Sequence, residues 1–126
     1  MLVLDSGGFG RLSERSRPAL AIIQELRAAG LWPPIVSTMV LVESLQGHPG
    51  RDAKANRFLK TIVIEEVVSL DIARRAAELR RQAKRGSAVD ALVVALAEPN
   101  GVVLTGDEAD ISALAAHARS VALELI

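Results

Sequence analysis

Short runs rich in leucine and β-branched residues alternate along this chain with longer segments of helical period. Strand and helix in repetition need crossover connections, which predicts βαβ units and a mostly parallel sheet covered by helices. Leu2 to Leu4 reads as a first strand, broken by Ser6-Gly7-Gly8. Pro18 near a helix start and Gly30 just past its end bracket a helix over 19–29. Ile35-Val36 is a second short strand. Ser37 or Thr38 then caps a helix that carries Glu43 and stops near Gly47-His48-Pro49-Gly50. A further helix covers about 52–60, a strand 62–68, and Ser69 opens a helix that runs to about Lys84. Ser87 opens the next helix, Pro99-Asn100-Gly101 ends it, and strand 102–105, helix 107–117 and strand 121–126 complete the pattern. The 126 residues suit a single domain, residues 1–126, with one core.

Four carboxylates interrupt stretches that are otherwise almost wholly apolar. Asp5 follows Met1-Leu2-Val3-Leu4, Glu43 follows Met39-Val40-Leu41-Val42, Asp90 precedes Ala91-Leu92-Val93-Val94, and Asp107 comes just after Val102-Val103-Leu104. A charge in such surroundings is costly unless it is paired, hydrogen-bonded or bound to a metal. Asp5 and Asp107 stand past the carboxyl ends of strands, where ligands bind in open α/β sheets. Glu43 and Asp90 lie on helices that are apolar nearly all round, a pattern expected of buried helices, so their carboxylates should aim inward or at a cleft. Each acid also has a local reading. Ser87 and Asp90 have capping-box spacing, and Asp107 with Asp110 suits the first turn of a helix. Glu43 could pair with an arginine, and Asp5 could end a strand in a turn. One shared cation accounts for all four at once, and an oxygen-only donor set suits Mg²⁺, with Mn²⁺ as a substitute.

Composition narrows the partners. Lysine plus arginine and aspartate plus glutamate both total 15, so attraction to a polyanion has to come from local clusters. The basic residues of 74–85 and the trio Arg11, Arg15 and Arg17 are the candidate phosphate contacts. On 72–83 the residues Ile72, Ala76, Leu79 and Ala83 form one helical stripe, which leaves the arginines on the remaining face. Aromatic residues make up 2% of the chain, so base stacking cannot dominate recognition. There is no cysteine, which excludes disulfides and thiolate chemistry and fits a reducing compartment. The opening residues lack the pattern of a signal peptide and no apolar run approaches the ~20 residues of a membrane span, so the expectation is a cytoplasmic protein. His48 and His117 sit near helix ends and read as surface or capping residues; Trp32 beside Pro33-Pro34 reads as turn packing.

The segments Val3-Leu4-Asp5-Ser6, Ser37 to Glu43, Ser87 to Ala95, and Leu104-Thr105-Gly106-Asp107 with Asp110 follow one another at distinctive spacing. In these pieces the chain resembles, from end to end, the PIN domain family, and in detail the VapC-type toxins of bacterial toxin–antitoxin pairs. The resemblance implies a three-layer α/β/α sandwich with a central, mostly parallel sheet of about five strands and the first strand in the middle. It implies an acidic metal site at Asp5, Glu43, Asp90 and Asp107, with Asp110 as a further member and Ser6 and Thr105 as supporting hydroxyls. Gly7-Gly8 departs from the small apolar residue that many relatives carry there, and is expected to loosen the loop beside Asp5.

The activity implied is metal-dependent hydrolysis of RNA phosphodiester bonds, leaving a 5′-phosphate, in a toxin inhibited by a cognate antitoxin. Asp5, Asp90 and Asp107 fall to metal and water coordination, and Glu43 to metal binding or to accepting the attacking water's proton. The implied partners are a VapB-type antitoxin, a second copy of the chain and an RNA substrate, with DNA reached only through the antitoxin. The competing reading is a catalytically inactive PIN-like module that acts through protein binding alone. A phosphoacceptor receiver is disfavoured by Ser6-Gly7, where a paired acid is needed, and a haloacid-dehalogenase-type phosphatase by Gly7, where a second Asp is needed.

Overall fold

The computed structural model describes residues 1–126. Strands β1 (Leu2–Leu4), β2 (Ile35–Ser37), β3 (Val63–Glu65), β4 (Val102–Thr105) and β5 (Ala122–Leu125) form one parallel sheet in the order β3-β2-β1-β4-β5. Helices α1 (Ser6–Ser13), α2 (Arg17–Ala28), α3 (Thr38–Ser44) and α4 (Ala53–Leu59) connect the first three strands. Helices α5 (Leu70–Ala83) and α6 (Ala88–Ala97) link β3 to β4, and α7 (Glu108–Ala115) links β4 to β5. No helix is long and apolar enough to cross a membrane. Chain direction across the sheet reverses after β3, and right-handed crossovers then place α1–α4 on one face and α5–α7 on the other. The helix contacts follow that division, α1 meeting α2, α3 and α4 while α5, α6 and α7 meet one another. The result is the three-layer α/β/α sandwich with β1 at its centre.

Burial follows position in the sheet. All of Leu2, Val3 and Leu4 have 0% exposure, because β1 is covered on both faces and flanked on both edges. β3 is an outer strand, and Val63 and Ile64 remain 44% and 37% exposed. That edge also shortens it. The strand expected over 62–68 ends at Glu65, and Val67 and Val68 leave the sheet on an exposed connection. The larger correction is α1, which the glycines of Ser6-Gly7-Gly8-Phe9-Gly10 concealed. Gly in a helix interior costs ~1 kcal/mol relative to Ala. Here Asp5 caps the helix and Phe9 and Leu12 reach the core, so tertiary burial overrides propensity.

Trp32 packs edge-on to Phe58 with ring centroids 6.3 Å apart, under the Arg27 guanidinium, which agrees with its reading as a turn-packing residue. His48 Nδ1 accepts the N–H groups of Gly50 and Arg51 at 3.2 and 3.3 Å, a turn-closing role. Asp52 accepts those of Gln46, Gly47 and His48, the Gln46 contact leading, and these hydrogen bonds hold its carboxyl below the usual aspartate value.

On the far face Arg75 forks onto Glu98 at 2.7 and 2.8 Å, and Glu98 also accepts the Arg119 N–H at 2.7 Å. The Arg75 contact comes first among the causes that hold the Glu98 carboxyl below its ordinary value. A carboxylate depressed by its fold stabilises above its unfolded pKa and loses that contribution as pH falls through the folded value. Glu98→Gln is therefore expected to destabilise the protein by about 2 kcal/mol at neutral pH, since the Glu98 side chain is only 7% exposed and the guanidinium loses its charged partner. Urea unfolding at pH 7 and pH 3 checks this, with the gap between variant and wild type narrowing at the lower pH.

Candidate metal centre

The carboxyl ends of β1 and β4 are adjacent, with Leu4 in register with Leu104, and the strand order reverses between them. Three helices begin at this edge. α1 leaves directly from β1 and α7 from β4. The turn at Pro99-Asn100-Gly101 feeds α6 into the opposite, amino end of β4, so α6 too must start at the carboxyl edge. Helix N-termini carry partial positive charge, which makes this the side of the sheet where carboxylates are best tolerated.

Asp5 caps α1 and is 4% exposed. Its Oδ1 accepts the Gly8 N–H at 2.7 Å, and its Oδ2 accepts the Thr105 hydroxyl. Thr105 is fully buried, and its Oγ1 in turn accepts the Asp107 N–H at 2.8 Å. With one neighbour donating to that oxygen, the Thr105 hydrogen is directed at Asp5, so a single hydroxyl ties the two strand-end acids together. Burial pushes the Asp5 carboxyl above its ordinary value; the Thr105 and Gly8 hydrogen bonds oppose this, and the charges of Asp90 and Asp107 add to it.

Asp90 stands in the first turn of α6 and completes the capping box with Ser87, at 3.0 and 3.1 Å. Asp107 caps α7 through the Asp110 N–H at 3.1 Å. Carboxylate oxygens of Asp90, Asp107 and Asp110 lie within 4.8 Å of one another. The local caps and the shared cluster thus coexist, because each cap uses one oxygen of a two-oxygen group. An all-oxygen donor set of this kind fits a hard divalent cation. Arg85 reaches the same cluster, its Nε 2.8 Å from Asp110 Oδ1.

Two solved structures share the fold. A chain of VapBC2 from Rickettsia felis, in a structure bound to a DNA fragment from their promoter, superposes with a TM-score of 0.71 at 15% identity, covering 99% of this chain and 98% of that one. A chain of FitAcB from Neisseria gonorrhoeae gives a TM-score of 0.59 at 20% identity, covering 98% and 96%. No protein-family profile and no curated protein matches the sequence.

Glu43 differs from Asp5, which is also outside the three-carboxylate set but buried. It projects from an exposed position of α3, outside the three-carboxylate set and without an ion pair. The apolar pattern around it suggested a buried helix, yet Met39 is 42% and Val42 76% exposed. Only Val40 and Leu41 of that helix are buried. Asp110, by contrast, joins the set, and its signal in the sequence was its spacing from Asp107, which puts it in the first turn of the same helix.

The glycines beside Asp5 also act otherwise than expected. A Cβ on Gly7 would lie 3.0 Å from the Gly106 nitrogen, and one on Gly8 would collide with the Leu104 carbonyl. They tighten the site by letting α1 press against β4. Ser6 is exposed at the start of α1, and its side chain forms no hydrogen bond within the protein. Among the basic residues, Arg75 is committed to Glu98, and Arg15 and Arg17 lie beyond the end of α1 remote from Asp5.

Proposed function

We propose that the protein is an Mg²⁺-dependent endoribonuclease, the toxin member of a toxin–antitoxin pair, cleaving RNA phosphodiester bonds until a VapB-type antitoxin covers the acidic site. The observation that carries this reading is convergence: Asp90, Asp107 and Asp110 meet at the sheet edge where buried Asp5 feels the charges of Asp90 and Asp107. The resemblance to VapC-type toxins and the fold shared with a chain of VapBC2 support it. A binding-only module would use the caps that Asp90 and Asp107 form but gains nothing from bringing their charges next to buried Asp5.

Asp90, Asp107 and Asp110 are the residues assigned to hold the metal, with Asp5 as the buried fourth acid. The bound ion supplies charge neutralisation at the phosphate and a coordinated water of lowered pKa. Thr105 keeps Asp5 and Asp107 in fixed orientation by donating to one and accepting from the other. Glu43 is assigned to metal binding or to accepting the proton of the attacking water, the two roles that the chain's resemblance to the family implies. The proposed partners are the antitoxin and a second copy of this chain, with promoter DNA contacted by the antitoxin. A groove of about 320 Å³ lined by the exposed Met39 of α3 with Val68, Ala73, Ala77 and Val89, together with the exposed Val42, gives such partners apolar surface to bury.

The test is cleavage of structured RNAs by purified protein with Mg²⁺ and with chelator. The reading predicts 5′-phosphate products in Mg²⁺ alone and loss of cleavage in Asp90→Asn. Glu43→Gln should lower kcat by about 100-fold, with the rise in Tm on adding Mg²⁺ retained if Glu43 takes the proton and reduced if it holds the metal. Cleavage that ignores the chelator, or that survives Asp90→Asn, rejects the assignment.

A further inference from the structure

The connection from α5 to α6 has a shape that α-helix continuity does not require. Lys84 at φ +56° and Gly86 at φ +92° put left-handed conformations on both sides of Arg85. Two such reversals turn the chain sharply and leave Arg85 at the tip. Gly86 is pressed onto α7: a Cβ there would approach Leu114 Cδ1 to 2.7 Å. Leu114 stands one helical turn after Asp110, so the two share a face of α7. The approach that seats Gly86 against Leu114 therefore also delivers Arg85 to Asp110, where Nε donates to Oδ1 at 2.8 Å.

As a staple between α7 and the α5–α6 connection, this contact is weak. The Arg85 side chain is 54% exposed and that of Asp110 31%, and pairs so open to water contribute little to stability. Its effect is to orient the guanidinium. Nε is occupied, while Nη1 and Nη2 have no protein partner. The unused edge is a rigid two-donor fork that matches the oxygens of a phosphate. It stands one hydrogen bond away from the carboxylate cluster, which by itself would repel an RNA backbone. No other arginine or lysine forms an ion pair with a member of that cluster.

We infer that Arg85 binds a backbone phosphate of the RNA substrate beside the acidic site, using Nη1 and Nη2 while Asp110 holds Nε. This role rests on the nuclease reading above and adds to it the residue that brings the anionic strand to a cluster of like charge. Arg85 touches substrate and leaves metal binding to the acids.

The experiment compares wild type, Arg85→Ala and Arg85→Lys on a single-stranded RNA with Mg²⁺, across a salt series, with Mn²⁺ affinity measured by calorimetry. Arg85→Ala should raise KM about 10-fold and reduce the slope of log KM against log salt by about 1, with Mn²⁺ affinity kept or improved. Arg85→Lys keeps the charge but loses the fork, and should recover part of the KM and most of the salt slope. An unchanged KM and salt slope in Arg85→Ala overturns the phosphate role. So does a loss of Mn²⁺ affinity at unchanged RNA binding, which would make Arg85 a support for Asp110. A wild type that shows no Mg²⁺-dependent cleavage overturns the nuclease reading itself, a result separate from either of these.

Discussion

Asp5→Asn is expected to lower RNA cleavage by about 100-fold and, in metal-free protein, to raise the melting temperature. The two effects have one cause. Asp5 is buried among hydrogen-bond donors that do not fully offset its desolvation, and Asp90 and Asp107 add repulsion, so its carboxyl is held above the usual aspartate value. An acid that binds its proton more tightly when folded stabilises the fold below its unfolded pKa, and that contribution disappears as pH rises through the folded value. At neutral pH the charged Asp5 thus works against folding. Asparagine keeps the shape and the acceptor for the Gly8 N–H and removes the charge, but its Nδ2 donor faces the Thr105 hydroxyl, which gives up its hydrogen bond at an opposing cost of ~1 kcal/mol. The gain in Tm at pH 7 should shrink as pH falls into the ordinary carboxylate range. Addition of Mg²⁺ should reverse the order of the two proteins: at 100 times Kd a ligand that binds only the folded state contributes about 2.7 kcal/mol. On the proposed metal-site reading wild type should receive that stabilisation and the variant much less. Thermal melts with and without Mg²⁺, at pH 4 and pH 7, decide the matter; a difference between variant and wild type that is the same at both pH values without metal would show that the Asp5 charge does not work against folding.

Gly8→Ala should destabilise the protein by about 3 kcal/mol, whereas Gly10→Ala, two residues along the same helix, should stabilise it by up to about 1 kcal/mol. Helix propensity alone predicts a gain at both positions. The difference lies in what a methyl group meets. At Gly10 there is open space, and at Gly8 the Leu104 carbonyl, whose oxygen also accepts the Asp5 N–H at 3.3 Å. Backbone on both sides cannot yield as a side chain does, so α1 has to lift from β4. That shift also withdraws the Gly8 N–H from Asp5 Oδ1, and cleavage should fall along with the urea midpoint. Equal and favourable effects at both glycines would mean that α1 does not press on β4.

These two positions mark the limit of what could be read along the chain. Strand β1, the helices opened by Ser37, Ser69 and Ser87, and the acids beyond strand ends are local features, written in apolar period and cap residues. The Ile72, Ala76, Leu79 and Ala83 stripe of α5 was equally legible, and Ala76 and Leu79 are buried as its period requires. Helix α1 was not, because three glycines in five residues argue against a helix until its contact with β4 is known. Val67 and Val68 were read as strand because β-branched residues look alike on a sheet and on an exposed connection. For α3 the apolar pattern was read as burial, and periodicity cannot distinguish a face that meets the core from one left open. Charge along the basic run of 74–85 was no better a guide, since Arg75 and Arg85 belong to that one run but turn to different acids, Glu98 and Asp110.

What the sequence determined by itself was the parallel α/β architecture and the four isolated acids, since period, caps and the cost of a charge in an apolar run all act within a few residues. Tertiary structure decided which acids meet. Asp90, Asp107 and Asp110 come together, with Asp5 coupled to them, because β1 and β4 pair although they lie far apart in the chain, and three helices start at one sheet edge. Glu43 is exposed for the same reason: whether α3 turns that position to the core or to solvent is set by packing that no local pattern encodes.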